Sequence, residues 1–358
     1  MNPEDRLREA TRSYTDPIQP APDAWVRIRE RVDAEPRRRR VPAARVALAG
    51  FAAAVVIALL VTLVAVVRDD NGGTGVTATP GGVAPSQIVA ATEDGRLVVL
   101  DAATGAEIRT LADGLDAGTT VAVTPDGERV FFDRRSSPQS DPPRELLTVP
   151  TGGGEPDRLI GGAGQPAVSP DGRLLAFVRY QPPGLQVVEV PDTFEGWIPN
   201  VVGDGEVSGT SQAVLAPSWA PDSRHIAYTV VAPEGSPPRV TELGYGMRLD
   251  AVPPIPVPLV SCAVTSYLGD TGLVVLTRGG DRAIAVDPAS GREVRELFRG
   301  PGLGCGADRP PASDPSGAHL LYVTSGAAPE LYRWSEGDAE PIKIADGIVA
   351  AAWLAPPT

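Results

Sequence analysis

The chain has 358 residues and a formal net charge of −13 at pH 7, enough length for two domains and a large buried core. Residues 1–45 carry 11 Arg against 8 acidic residues, whereas residues 68–358 carry 21 basic and 37 acidic residues, a net charge of −16. Because so acidic a region repels polyanions, no nucleic-acid partner is expected, and with two His and two Cys the chain offers little material for metal or nucleophilic chemistry.

The first 45 residues are predicted to form a cytoplasmic tail with two short helices. Residues 3–14 begin with Pro and acidic residues, as helices often do, and Asp23 can cap the second helix. At helical spacing, one face of the second helix carries Trp25, Ile28 and Val32. This face can rest on the inner leaflet, or it can dock into the groove of a cytosolic partner.

Residues 46–67 are predicted to form a transmembrane helix. They contain no charged residue and would span roughly 33 Å at 1.5 Å per residue, enough to cross the bilayer core. Five Arg lie between residues 37 and 45, which places the N-terminus in the cytoplasm. A cleaved signal peptide is the alternative, but the apolar run is long and no clear cleavage motif follows it. We therefore expect a signal-anchor in the lipid bilayer, and residues 68–86, rich in Gly, Pro, Ser and Thr, to be a flexible linker.

A repeated motif follows the linker. Its four clear copies are TPDGERVFF, SPDGRLLAFV, APDSRHIAYTV and DPSGAHLLYV, whose prolines are Pro125, Pro170, Pro221 and Pro315. A degenerate copy, LGDTGLVVLT, begins at Leu268. The period near 47 residues, with a tight Pro-Asp-Gly turn between short apolar strands, is typical of β-propeller blades.

The two ends of this region predict how the ring closes. The first unit, which starts at Ser86, lacks an inner strand, and IVAAAWLAPPT at the C-terminal end resembles the inner strand VLAPSWAPDS. We expect the last strand to complete blade one, because closure removes exposed sheet edges. Inner strands near residues 121, 167, 216, 264, 311 and 351 predict six blades. A seventh would require a hidden unit within residues 190–215 or 243–262.

The repeat resembles the TolB-like propeller over residues about 87–358. The resemblance implies an all-β, six-bladed propeller and says little about activity, since propellers host many functions. The D-A-W-x-R-I stretch of the tail resembles cytosolic segments of actinobacterial membrane proteins related to anti-sigma factors. That resemblance implies a sigma factor as a cytosolic partner. Residues 1–87 contain no His and no Cys, so the tail lacks the zinc ligands of one anti-sigma type.

A search for chemistry yields no catalytic, metal or cofactor site. His225 and His319 occupy equivalent repeat positions and are expected to be structural. Asp126, Asp171 and Asp222 belong to turns that need Asp for backbone bonding, and no calcium loop is present. No G-x-S-x-G motif occurs, and the Gly-rich stretches at 151–155 and 161–164 lack the Lys of a phosphate loop.

Two further features are left open by the sequence. Cys262 and Cys305 precede equivalent turns of adjacent blades, which is compatible with one disulfide outside the cytoplasm. The Pro-rich segments 232–238 and 252–258 can adopt polyproline conformations and line one propeller face, or they can be simple spacers.

These features together predict a non-enzymatic, membrane-anchored propeller outside the cytoplasm. It would bind or sense a protein or cell-envelope ligand. One alternative is a transmembrane regulator whose tail binds a sigma factor or another cytosolic protein. The other is a propeller enzyme of lactonase-like or quinoprotein-like type, which needs converging carboxylates, a His or a metal at the channel mouth. Four or more carboxylates around one end of the channel would favour this alternative.

Overall fold

The computed structural model describes residues 86–136, 144–191, 201–206, 214–230, 238–243, 247–248, 252–256, 266–278, 280–303 and 309–354. All of them belong to one compact unit, Ala78–Thr358. Their strands form six antiparallel-based sheets, which are the blades of a β-propeller. The fold is therefore all-β with six blades, as predicted. The transmembrane and tail predictions fall outside the described ranges, and none of the described segments is a helix capable of spanning a membrane.

The first sheet is closed by the C-terminal strand, as predicted. Its strands, from the inside outwards, are β24 (Ile348–Leu354), β1 (Gln87–Thr92), β2 (Arg96–Asp101) and β3 (Glu107–Asp113). β24 pairs antiparallel with β1 along its length, with Ala90 opposite Ala351 and Ile88 opposite Trp353. This pairing joins the two ends of the propeller and leaves no gap between the last and first blades.

The second and third blades follow in chain order. The second contains β4 (Val121–Val123), β5 (Arg129–Arg135), β6 (Arg144–Pro150) and β7 (Asp157–Gly161). The third contains β8 (Ala163–Val168), β9 (Leu174–Tyr180), β10 (Pro183–Glu189) and β11 (Val201–Glu206). A fifth strand, β15 (Met247–Arg248), pairs parallel with β11 at the outer edge of the third blade.

The last three blades repeat this plan. The fourth contains β12 (Val214–Trp219), β13 (His225–Val230) and β14 (Pro238–Glu242). The fifth contains β16 (Ser266–Tyr267), β17 (Val274–Arg278), β18 (Arg282–Val286) and β19 (Glu293–Arg299). The sixth contains β20 (Ala312–Ser313), β21 (His319–Val323), β22 (Glu330–Ser335) and β23 (Ile342–Asp346). The described parts of residues 190–215 and 243–262 belong to the third and fourth blades and form no seventh sheet.

The repeated turns connect the first and second strands of the second to sixth blades, as their sequence predicts. Each is a tight turn closed by backbone bonds, such as Gly127 N to Thr124 O at 2.8 Å and Gly172 N to Ser169 O at 2.8 Å. The degenerate copy forms a short 3-10 helix, Gly269–Thr271, because it lacks the proline that fixes the other turns. The second strands that follow are buried between blades, where their apolar side chains form the core.

The outer edge of the fourth blade differs from the other five. Among the described residues its sheet has three strands, and Pro254 makes a single bridge to Arg239 on β14. Ile255 beside it is 5% exposed and packs into the core. Described residues of the Pro-rich segment 252–258 thus lie at a blade edge, where a fourth strand would be. Proline suits that position because it offers no N–H to continue a ladder. The sequence had left open whether this segment lines a propeller face or is a simple spacer.

Two nearly identical turns show that the Pro-rich segment occupies the position of a fourth strand. Gly105 and Gly291 end the DAATG and DPASG turns, both with positive φ. A Cβ on Gly105 would lie 2.1 Å from the backbone oxygen of Ile344 in β23, and one on Gly291 would lie 2.2 Å from that of Pro256. In both cases a glycine turn packs on the outer segment of the preceding blade. Pro256 therefore takes the structural place of β23 in the fourth blade.

Candidate ligand-binding cavity

A cavity of about 530 Å³ occupies the centre of the ring and is lined by all six blades. Small side chains on the inner strands of five blades form part of its wall, which are Ala122, Ala167, Ser218, Ala312 and Ala351. One end is bordered by the prolines of the repeated turns, Pro125, Pro170, Pro221 and Pro315. We call this the turn end, because each inner strand runs towards its turn there. The opposite end, where the inner strands begin, is called the entry end of the strands.

Three of the turns at the turn end are held by hydrogen bonds to their own aspartates. Asp126, Asp171 and Asp222 accept a backbone N–H two residues further on, at 2.9, 3.1 and 2.8 Å. This confirms the prediction that these aspartates serve their turns. Although burial acts to raise it, the pKa of Asp171 is lowered by hydrogen bonds from the Ser169 hydroxyl and the Arg173 amide.

Neighbouring turns also contact one another across the blades. The Asp171 amide donates to Ser223 Oγ at 3.2 Å, which links the third and fourth blades. The Tyr267 amide donates to Ser218 Oγ at 2.9 Å, and the Asp270 amide donates to Pro315 O at 2.9 Å. These three hydrogen bonds join the third to sixth blades at or near this end of the cavity.

Two tryptophans occupy equivalent positions at the end of an inner strand. Trp219 lies opposite Ile226, and Trp353 lies opposite Ile88. Trp219 Nε1 donates to Ala167 O of the preceding blade at 2.9 Å. Trp353 Nε1 is also buried but has no hydrogen-bond partner in the part of the chain that the structure describes. The closing strand β24 therefore carries its tryptophan at the same position as β12 does, but without the hydrogen bond from the indole nitrogen.

At the entry end of the strands, one buried carboxylate organises three blades. Asp133 is fully buried near the end of β5. The equivalent positions in the third and fourth blades are occupied by Val178 and Thr229. Its Oδ1 accepts from the Thr120 amide at 2.7 Å and the Thr120 hydroxyl at 3.1 Å. Its Oδ2 accepts from the Gln165 amide at 3.2 Å. Sequence reasoning missed this group, although a carboxylate in a repeat position that is otherwise uncharged was a signal for it.

Arg144 completes the charge balance of this cluster. Its Nε lies 3.0 Å from Asp133 Oδ2, and its Nη1 lies 3.1 Å from Asp116 Oδ1. Its Nη2 donates to Gly118 O at 2.9 Å. Burial raises the pKa of Asp133, and the Arg144 guanidinium opposes that rise only in part. Asp116 is less buried, and its pKa is lowered because the amides of Gly118 and Arg135 and the Arg144 guanidinium outweigh its burial.

The polar cluster reaches the fourth blade through a glutamine. Gln165 Oε1 accepts from the Ala216 amide at 2.6 Å. Gln165 and Ala216 have φ of 54° and 52°, which is uncommon for residues other than glycine. At both residues the pairing of the inner strand with its neighbour shifts register. Thr120, Gln165 and Ala216 all line the cavity.

Charged groups are sparse along the cavity. Of the described lining residues, one is cationic, Arg309, and two are carboxylates, Asp270 and Asp314. Asp314 is buried and accepts from the His319 amide at 2.8 Å and the Ser316 hydroxyl at 2.5 Å. Burial raises the pKa of the Tyr267 phenol, which therefore stays neutral. Over the described ranges, no group of three His, Cys, Asp or Glu side chains is placed to hold a metal.

The remaining predicted residues are placed as follows. His225 and His319 begin β13 and β21, the equivalent second strands, as predicted. His225 Nδ1 lies 2.6 Å from Asp222 Oδ2, within its own turn. The Gly-rich stretches fall at strand connections, one between β6 and β7 and the other between β7 and β8. Outside the described residues lie both cysteines, Cys262 and Cys305, and the docking face Trp25, Ile28 and Val32.

Comparison with known proteins identifies the fold. The chain is similar to TolB from Acinetobacter baumannii, with a TM-score of 0.53 and 15% identity over 78% of this chain and 69% of that one. It is also similar to a putative TolB from Agrobacterium tumefaciens, with a TM-score of 0.52 and 13% identity over 75% and 94% of the two chains. A chain of a nidogen/laminin complex matches with a TM-score of 0.50 and 14% identity over 74% and 97%.

The class of the protein follows from the ring and these similarities. The described region is a TolB-like six-bladed β-propeller, as the repeats predicted. No family model matches the sequence, and no curated protein matches it. At 13–15% identity the likeness concerns the fold, so function is argued from the cavity.

Proposed function

We propose that the chain is a membrane-anchored propeller outside the cytoplasm that binds a protein or cell-envelope ligand in its central cavity without chemically changing it. The observation that carries this proposal is the cavity of about 530 Å³, walled by Ala and bordered by Pro. Its volume lies in the range of ligand pockets, and its lining is more apolar than polar, as such pockets usually are.

Binding is favoured over catalysis by the chemistry of the lining. A hydrolytic propeller site needs converging carboxylates, a His or a metal. Of the two lining carboxylates in the described region, Asp314 is committed to the backbone and hydroxyl of its own turn. Four or more carboxylates around one end of the channel would favour a propeller enzyme, and the described lining has two.

The anchored location is supported by the sequence. Residues 46–67 are apolar and uncharged, and five Arg precede them on the side predicted to be cytoplasmic. In this arrangement the bilayer holds the propeller at the outer surface through the linker of residues 68–86. A protease-protection assay on intact cells tests this location, because the propeller should be digested from outside while the tail is protected.

Ligand capture tests the binding site directly. A photo-crosslinking amino acid is placed at Asp270, which is exposed and lines the cavity, in the full chain expressed in its native membrane. The matched position is Ile108, which is 46% exposed on the outer strand β3. We expect a specific adduct from position 270 that position 108 does not give. Mass spectrometry then identifies the adduct.

Filling the cavity provides the second arm of this experiment. Ala351→Trp places a large ring in the channel wall, whereas Ala103→Trp places it on an exposed turn. We expect the adduct at position 270 to disappear in the first variant and to persist in the second. Equal adducts at positions 270 and 108, or an adduct unaffected by Ala351→Trp, would exclude the cavity as the binding site.

A second role is proposed for the tail. The face formed by Trp25, Ile28 and Val32 can bind a cytosolic partner such as a sigma factor. Capture from the full chain in detergent, compared between wild type and Trp25→Ala, tests this role. The matched variant is Arg27→Ala, which changes the opposite face of the same predicted helix. A partner that is lost in Trp25→Ala but kept in Arg27→Ala supports the role, and a tail that binds nothing removes it.

A further inference from the structure

One buried carboxylate holds the entry end of three inner strands. Asp133 bonds directly to Thr120 on the second blade and to Gln165 on the third. Through the side chain of Gln165 it also fixes the amide of Ala216 on the fourth. All three residues line the cavity, but Asp133 itself lies behind them. The shape of half of this end of the cavity thus depends on one group that a ligand would not contact.

The surroundings of Asp133 are built for a single charged acceptor. Arg144 approaches from β6, and Asp116 faces the same guanidinium from the connection between β3 and β4. A Cβ on Gly164 of β8 would lie 2.2 Å from Asp133 Oδ2 and 2.8 Å from the phenol oxygen of Tyr180 on β9. The titratable groups around Asp133 are therefore Arg144, Asp116 and Tyr180. Glycine at position 164 leaves the space that the carboxylate occupies.

We propose that Asp133 is a proton-controlled latch on this end of the cavity, closed when the carboxylate is ionised and released when it is protonated. The inference rests on the proposed ligand-binding role of the cavity and names its regulation. Ionised Asp133 accepts hydrogen bonds on both oxygens and holds Thr120 and Gln165 in register. Protonation converts one oxygen into a donor that faces the amides or Arg144, and those donors lose their acceptor.

The direction of the pH effect follows from burial. Because burial raises the pKa of Asp133 in the folded chain, the folded state takes up a proton at a higher pH than the unfolded chain does. As pH falls through that pKa, this group does not lower the global free energy of unfolding. Protonation of Asp133 should therefore loosen the strand ends locally without itself unfolding the propeller, which is the behaviour of a switch and differs from acid denaturation.

Hydrogen exchange of individual amides tests the latch without any ligand. The full chain in detergent is followed by mass spectrometry with residue-level fragmentation, and rates are converted to protection factors to remove the intrinsic pH dependence. Between pH 7.5 and pH 4.5 we expect protection of the Thr120, Gln165 and Ala216 amides to fall about tenfold. The amides of Gly127 and Gly172 at the turn end bond to backbone oxygens and should keep their protection.

Two variants separate the latch from general loosening. In Asp133→Asn the protection of the three amides should be low at every pH and no longer respond to acid. The matched variant Asp126→Asn changes a turn aspartate and should leave the pH response of the three amides intact. If Asp133→Asn does not fold, the wild-type titration can still overturn the latch, because constant protection of the three amides excludes it.

Several outcomes would overturn the proposal. Constant protection of the three amides between pH 7.5 and pH 4.5 shows that Asp133 is structural, as does a parallel loss at Gly127 and Gly172. A pH response that survives in Asp133→Asn assigns the effect to another group. Failure of the crosslink at position 270 leaves this measurement unaffected, so the latch and the ligand-binding role can fail independently.

Discussion

The second, third and fourth blades are joined near the channel by directional hydrogen bonds, whereas the outer strand of the fifth blade is joined to the sixth blade by stacked rings. Asp133 and Gln165 join the first group of blades through amide donors. Phe298 of the fifth blade stacks on Tyr322 of the sixth with centroids 5.3 Å apart, and it lies 5.4 Å from Trp334. Neighbouring blades of the same repeat are thus joined in two ways. We call the contact between two neighbouring blades a seam.

The difference between the seams concerns what each can respond to. Apolar stacking is sensitive to volume and changes little with proton concentration. A buried carboxylate is sensitive to a single proton, and removing it leaves buried donors unpaired. Regulation is therefore expected at the seams of the second to fourth blades, and mechanical stability at those of the fifth and sixth.

Asp133→Ala should have the largest effect on stability. It leaves Arg144 without its buried partner and removes the acceptor of Thr120 and Gln165. We expect a loss of about 4 kcal/mol in the free energy of unfolding, measured by urea denaturation of the detergent-solubilised chain. Asp126→Ala, in an exposed turn, should cost about 1 kcal/mol. Equal losses in the two variants would contradict the organising role of Asp133.

Phe298→Ala tests the apolar seam. Phe298 is 3% exposed, so its removal leaves a cavity between the fifth and sixth blades. We expect the free energy of unfolding to fall by about 3 kcal/mol. The loss should be the same at pH 5 and pH 8, because the contacts of the Phe298 ring involve no change of protonation. Phe298→Leu keeps most of the volume and should cost about 1 kcal/mol. A strong pH dependence of the loss in Phe298→Ala would remove the distinction between the seams.

The features that could be predicted from sequence were those encoded locally. The Pro-Asp-Gly turns recur at a regular spacing, so the blade count and the closing strand followed from the repeats. The Asp133 cluster could not be assembled in this way, because its partners lie 11, 13 and 32 residues away and meet only once the blades pack. The left-handed conformations of Gln165 and Ala216 were also hidden, since neither residue type signals them. Likewise β15 pairs with the third blade although it follows β14 of the fourth, a crossing that strand patterns do not encode.

The two equivalent tryptophans allow a comparison that differs by a single hydrogen bond. Trp219→Phe removes a hydrogen bond to Ala167 O, whereas Trp353→Phe removes a donor that has no described partner. Both changes take away similar ring volume, so the difference between them isolates the hydrogen bond. We expect Trp219→Phe to cost about 1 kcal/mol more than Trp353→Phe in urea denaturation. A larger cost at Trp353 would mean that the closing seam depends on its indole N–H.

Asp171→Asn should have the smallest effect, and its pH dependence should be opposite in sign to that at Asp133. The pKa of Asp171 is lowered in the folded chain, so its contribution is fully present above the unfolded value of about 3.9 and is lost as pH falls through the folded value. The variant keeps the amide that donates to Ser223 and a side-chain oxygen for the Arg173 amide, so at pH 7 it should lose only about 0.5 kcal/mol. This difference from wild type should shrink as the pH is lowered from 5 to 3, measured by thermal unfolding at each pH.

A difference that grows in acid would mean that Asp171 is disfavoured as an ion, as Asp133 is. The turn end and the entry end of the strands would then respond to protons in the same way, and the latch could not be assigned to one end of the cavity.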